Sequence, residues 1–419
     1  MSNNHTLLLL CLACIPAVAG GIACIGKTYR RIASFAAAGI GAGSLLGCIA
    51  IVQTSRHGII TGFASWLYLD ALSSFNLAVM IAVYVMSSAY AFVYFKEERR
   101  ASHLSLRQAR QFAGLWCGAF SSMTLALISN NLGIMWVGIE ATTLLTAFLI
   151  CIHSTRQSLE AMWKYLLICS VGVAFAFLGT LLAAASSRTV PGLDMHQALL
   201  WTRLRDHATM LNPALIKAAF IFLVVGYGTK AGLAPMHNWL PDAHSQAPSP
   251  VSALFSGFML NAALYCIMRY LPIVETATGH RGWATTLLAF LGVFSIGIGA
   301  AFIVFQHDVK RLLAYCSVEH IGIIALGLGL GGFGVFAALF LIGVSVVFVG
   351  MLSKAIPLMW GDPAVSTVTA DNHSWLEIGL AVVPLAALLA LGCWMPGFLG
   401  SAMTLAAEII RTGSAAAGR

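Results

Sequence analysis

The amino-acid sequence predicts an all-α membrane protein, a bundle of about twelve helices crossing a bilayer. Three observations carry this. Of the 419 residues, 59% are hydrophobic and only 9% charged, whereas soluble chains carry roughly 25% charged residues. Mean hydropathy is +0.87. Apolar runs of about 20 residues, the length that spans a hydrocarbon core, recur along the chain.

Other classes fit less well. A net charge of +8 would suit nucleic acid, but the basic residues fall between apolar runs rather than on one face. No nucleic-acid partner is expected, and the bilayer explains the pattern. The first run starts near Thr6, after an uncharged N-terminus without a small-residue cleavage site, so it reads as a retained span. The ten cysteines lie mostly inside apolar runs as small hydrophobes. Cys11 and Cys14 have C-x-x-C spacing, but within LLLLCLACI, with no second pair and no nearby histidine in a polar loop. No iron–sulfur, flavin or nucleotide motif is visible. The expectation is no cofactor, no metal and no catalytic site in this chain, with any redox chemistry belonging to a partner.

In chain order, the first spans fall at about 6–25 and 32–53, joined by the basic turn GKTYRR. The third, about 66–95, includes Asp70 near its start and leads into KEERRASHLSLRQARQ. The fourth (about 111–129) and fifth (about 131–152) are separated only by Asn130 and Asn131. The sixth, about 162–185, is followed by a polar stretch whose centre, MHQALLWTRL, reads as a short interfacial helix. The seventh, about 213–246, is broken. The eighth, about 249–272, exits at Tyr270–Pro272. The ninth (about 283–305), tenth (about 314–331), eleventh (about 335–352) and twelfth (about 375–396) follow. The final residues read as an interfacial helix and a frayed tail.

Alternate loops differ in basic content. One side collects Lys27, Arg30, Arg31, Lys96, Arg99, Arg100, Arg107, Arg110, Arg156, Lys164, Lys310, Arg311 and Lys354. The other collects Arg56, Arg188, Arg203, Arg205, Arg269, Arg281, Arg411 and Arg419. The first side is expected to be cytoplasmic, with both termini outside.

The chain is organised around residues 226–250, GYGTKAGLAPMHNWLPDAHSQAPSP. Pro235 and Pro241 each interrupt a helix by removing a backbone donor. At membrane depth such breaks survive only where protein or a wet cavity satisfies the backbone. Lys230 lies a turn inside the apolar side and marks an ion or proton path. A solvent loop with a snorkelling lysine is the alternative. Glu140, mid-way along the fifth span, must be neutral or paired. Lys230 is its natural partner and Lys164 a second candidate. An adjustable Glu–Lys pair moves a proton, because a buried lysine that loses its counter-charge gives its proton up more readily; a static pair would instead hold helices together. Lys217 is either part of the path or snorkels outward. Glu319 beside His320 suits a relay, or else anchors the cytoplasmic edge. His237 and His244 flank the break, but with Asp242 they lack the i, i+4 spacing of a helical metal site.

These residues carry a resemblance. GYGTKAGLAPMHNWLPDAHSQAPSPVSALFSG resembles the signature of antiporter-like proton-channel subunits of complex I, multisubunit cation/proton antiporters and membrane-bound nickel–iron hydrogenases. The similarity extends over about residues 60–330. EAMWKYLLICSVGVAFAFLGT, DVKRLLAYCSVEHIGII and LNAALYCIMRY are similar to the component F type of hydrogenase-4, the formate hydrogenlyase-like group. The resemblance implies an inverted-repeat fold with a discontinuous seventh helix, and roles for Glu140 and Lys230 as the charge pair of a proton half-channel. Asn261 stands where complex I subunits usually carry lysine and cannot titrate, so the lateral relay would need water or a histidine. About two spans, including the second broken helix, are expected to be absent, leaving the second repeat incomplete. The implied organisation is N-terminal helices over 1–110, a first repeat over 111–272, and a shortened second repeat over 273–419.

The implied function is proton translocation within a complex I-like or group 4 hydrogenase assembly. The chain would sit in a bacterial or archaeal inner membrane, beside other membrane subunits and a peripheral redox arm. A non-conducting scaffold, or a cation/proton antiporter or inorganic-carbon uptake subunit, are the alternatives.

Overall fold

A computed structural model describes residues 2–330, apart from 189, 195, 280 and 281, and residues 397–412. The expected eleventh and twelfth spans and the shortened part of the second repeat lie outside the described residues. Among the described residues, ten helices are long and apolar enough to cross a membrane.

The polar residues between the apolar runs are mostly helix caps. Helices α1 (Ser2–Cys24) and α2 (Tyr29–His57) are followed by α3 (Ala71–Arg100), whose N-cap is Asp70. Ser105 and Gln108 form a capping box on α4 (Leu106–Ile128), and Asn131 caps α5 (Leu132–Ile150). Thr155 caps α6 (Arg156–Ala185), and Asn212 caps α8 (Pro213–Ala231) with proline in its first turn. Such caps satisfy otherwise orphaned amides and contribute about 0.5–2 kcal/mol each.

Several expected boundaries change. Residues 60–69 are not helical: Ile60–Gly62 pairs antiparallel with Leu67–Leu69 in a small hairpin, so the third span starts only after Asp70. The stretch around MHQALLWTRL is a set of short turns with a six-residue helix, α7 (Trp201–Asp206). Trp201, Leu204, Ala208 and Leu211 are buried in protein, so this segment plugs the bundle end rather than lying in lipid.

Beyond the break come α9 (Leu240–Gln246), α10 (Ser249–Leu254), a π-helical stretch at Phe255–Met259, and α11 (Leu260–Ala277). The last three form one span, Ser249–Ala277. It runs straight through Pro272 instead of exiting there. Helices α12 (Trp283–Phe305) and α13 (Val309–Gly329) pack closely, with Gly292 and Gly322 at the crossing. Helix α14 (Gly397–Thr412) packs on α3 and α11, burying Ala406 and Ile409.

Candidate functional site: a buried lysine at a helix break

The break begins one step earlier than the prolines suggest. Helix α8 ends at Ala231, and Gly232 adopts a left-handed conformation (φ 79°) that glycine takes without strain. The Leu233 amide then bonds back to the Gly228 carbonyl at 2.9 Å. Pro235 lies in the connecting turn, and Pro241 occupies the first turn of α9, where a missing amide is harmless. Neighbours satisfy the exposed backbone: the Trp239 indole donates to the Thr229 carbonyl at 2.8 Å, and the Ala234 amide donates to Ser295 Oγ of α12 at 2.9 Å.

Lys230 sits in the last turn of α8 and is fully buried. The carbonyl pole of its own helix favours a cation there. A seam of small residues places its partner. Gly226 packs against the Ala176 backbone, and Gly172 against Thr229, so tightly that a methyl group at either would collide. Helices α6 and α8 therefore approach closely, and Tyr165 of α6 lies over the lysine, its ring centroid 4.7 Å from Nζ. Lys230 Nζ donates to the Tyr165 hydroxyl, which shares a 2.6 Å hydrogen bond with Thr146 of α5. Tyr165 also packs on Trp239 of the break at 4.8 Å.

The expected Glu140–Lys230 contact is not made. Glu140 is half-buried; one carboxylate oxygen accepts from Ser170 at 2.8 Å, and the other has no hydrogen-bond partner among the described residues. Nor does Lys164 reach Glu140. It is exposed and bonds Glu160 (2.8 Å) and Asp242 (3.1 Å), tying α6 to α9 at the basic end of the bundle. Arg311 of α13 also holds Asp242. Lys217 lies far from this group, with its ammonium 5.6 Å from the Trp283 ring centroid.

The histidines separate. His237, in the turn, faces Phe302 and Tyr315, and its Nδ1 has no partner among the described residues. His244, on α9, is buried, and its Nε2 likewise has none among the described residues. A cavity of about 720 Å³ between the span 249–277 and α13 is lined by His244, Asn261, Lys310 and His320. Asn261 bonds the Gly257 carbonyl at 3.2 Å, within the π-helical stretch. Ser256 and Ser317 bridge the two helices at 2.9 Å. Glu319 and His320 do not act as a pair: Glu319 is buried against Gly299 of α12, while His320 is exposed and lines the cavity.

Sequence reasoning missed two features. Tyr165 lies in the apolar run WKYLLICS, 65 residues from Lys230, and nothing in the sequence ties its hydroxyl to the lysine. Asp70 and Arg269 form a buried bidentate ion pair at 2.6 and 2.7 Å, backed by Tyr265, Ser73 and the face of Trp201. Arg269 is therefore no loop charge and leaves the tally of basic residues on its side.

A multi-pass bundle with a helix broken beside a buried lysine defines an antiporter-like membrane subunit. A model of the transmembrane region of NADH:quinone oxidoreductases and Mrp antiporters matches residues 129–374, and the chain belongs to that family. It is 44% identical over 239 residues to a hydrogenase-4 component F homolog of Methylacidiphilum infernorum, covering 57% of this chain and 50% of that protein. The chain thus spans half the length of that relative. In fold it is similar to a chain of the membrane-bound sulfane sulfur reductase, an archaeal respiratory complex (TM-score 0.76, 18% identity, 98% of each chain covered). It is also similar to a chain of respiratory complex I from Thermus thermophilus (TM-score 0.62, 22% identity, 97% of this chain and 83% of that one).

Proposed function

We propose that this chain is a proton-translocating membrane subunit of a redox-driven assembly of the complex I or group 4 nickel–iron hydrogenase type. It would sit in a bacterial or archaeal inner membrane, among other membrane subunits and beneath a peripheral redox arm. The observation that carries the reading is Lys230, fully buried at the end of a broken helix and touching no carboxylate. A buried ammonium held only by a neutral hydroxyl and a helix pole is poised to lose its proton when nearby charge changes. Glu140, half-buried on the neighbouring α5, is the carboxylate assigned to supply that change. Tyr165 orients the ammonium. His244 and His320 line the cavity beside Asn261 and place imidazoles where Asn261 cannot carry a proton.

The test is a reconstituted complex carrying Lys230→Ala or Glu140→Gln. Removing a proton carrier should lower redox-driven proton uptake by roughly a hundredfold or more, with assembly intact. Tyr165→Phe should give a smaller loss, because the lysine remains. Unchanged pumping in an assembled complex would overturn the reading and leave the non-conducting scaffold in its place.

A further inference from the structure

Away from the break, helices α2, α3 and α4 border a second, half-open cavity of about 630 Å³. That volume lies within the roughly 300–1,000 Å³ of ordinary ligand sites. Its walls are hydrocarbon and aromatic: Ile32, Ile40, Phe95, Phe112 and Trp116. The Phe95 and Phe112 rings meet at 4.4 Å, and Phe112 stacks on Trp116 at 5.1 Å. The polar groups along these walls are already engaged. The Trp116 indole donates to Ser88 Oγ at 2.9 Å, Ser34 Oγ donates to the Arg30 carbonyl at 2.7 Å, and the Tyr29 hydroxyl donates to the Leu104 carbonyl at 2.9 Å. The interior therefore suits a hydrocarbon and offers a polar ligand little.

The mouth is the opposite. Helix α2 begins and α3 ends at the same end of the bundle, and Arg30, Lys96 and Arg99 line the cavity there, all exposed. Among the described residues no carboxylate lines it. The nearest acidic residues in sequence are engaged elsewhere, Glu97 with Arg100 at 2.7 Å and Glu98 with His153 at 3.0 Å. Ile40, Ser88 and Trp116 lie ten to twelve residues from the helix ends, so at 1.5 Å per residue the slot reaches about 15 Å inward. That is half of a hydrocarbon core about 30 Å thick, the depth of one leaflet.

We propose that this slot is a binding site for an anionic glycerophospholipid, with one acyl chain between α2, α3 and α4 and its phosphate on Arg30, Lys96 and Arg99. A cationic rim over a leaflet-deep apolar slot is the complement of such a lipid. The site is separate from the helix break and stands whether or not Lys230 carries protons.

The purified complex, reconstituted in vesicles of dibrominated phosphatidylglycerol or dibrominated phosphatidylcholine, tests this. Bromine quenches tryptophan on contact, and the Trp116 component is the difference between wild type and Trp116→Phe. Phosphatidylglycerol should quench that component more strongly than phosphatidylcholine. Arg30→Gln/Lys96→Gln/Arg99→Gln should cut the preference by about tenfold or more, since each basic residue near an anionic head contributes roughly fivefold. Ala37→Trp, which fills the slot and keeps the cations, should reduce lipid occupancy; this is counted as phosphatidylglycerol retained on purification, so the proposal remains testable if the triple variant fails to fold. Equal quenching by both lipids, an unchanged preference in the triple variant, or a Trp116 shielded from both by a protein segment would each overturn it.

Discussion

Arg269 stays charged inside the bundle because Asp70 meets both of its terminal nitrogens. Either charge alone would be buried without a partner, at several kcal/mol. Asp70→Asn should therefore destabilise the protein by about 3–5 kcal/mol, seen as a lower thermal midpoint of the purified complex. Asp70→Leu with Arg269→Met should recover much of that loss, because a well-packed apolar pair carries no desolvation cost. This pair also shows where reading the sequence reaches its limit. Lys230 was legible as buried, because a lysine inside an apolar run has few other places to go. Arg269 was not, because it lies near the end of its run and a boundary error of two to four residues turns a core charge into a loop charge. Pairing Glu140 with Lys230 followed from their rarity. The chain instead satisfied Lys230 with Tyr165, and nothing in an apolar run distinguishes a tyrosine that serves a cation from one that fills space.

Among the elements, the seam between α6 and α8 has the least tolerance. A Cβ at Gly226 would stand 2.4 Å from the Ala176 amide nitrogen, whereas one at Gly297 on α12 would meet nothing within 4 Å. Gly226→Val should cost about 1–3 kcal/mol through forced separation of the helices, and Gly297→Val should leave the thermal midpoint nearly unchanged. Proton uptake should fall with Gly226→Val as well, because Tyr165 moves with α6. The break itself was readable from its prolines, but their parts were not: Gly232 ends one half and Pro241 opens the other, as the fit of each residue to a helix terminus requires. Glu319 and His320 illustrate a plainer rule. Successive helical residues point about 100° apart, so adjacency in the chain set these two on different faces.

At the scale of the whole molecule, the loops sort by charge as the sequence suggests. Lys164, Arg311, Lys310 and the α3–α4 corner share one end, and Trp201, Met210 and the Asp70–Arg269 pair share the other. If the basic end is cytoplasmic, an added cysteine at Met210, which is 61% exposed, should react with an impermeant thiol reagent applied outside intact cells. An Ala101→Cys variant should react only after the membrane is opened. The reverse pattern would invert the orientation. The broken helix gives this arrangement a further property. The Gly228 and Thr229 carbonyls at the end of α8 are capped by the Leu233 amide and the Trp239 indole, so what the helix end offers Lys230 is its dipole. A movement that rewound residues 232–239 into continuous helix would carry the helix terminus, and with it the negative pole, away from Lys230. The break would then work as a charge valve set by backbone winding, so a pull on α9 through Asp242 could reach the lysine without any other charged group changing place.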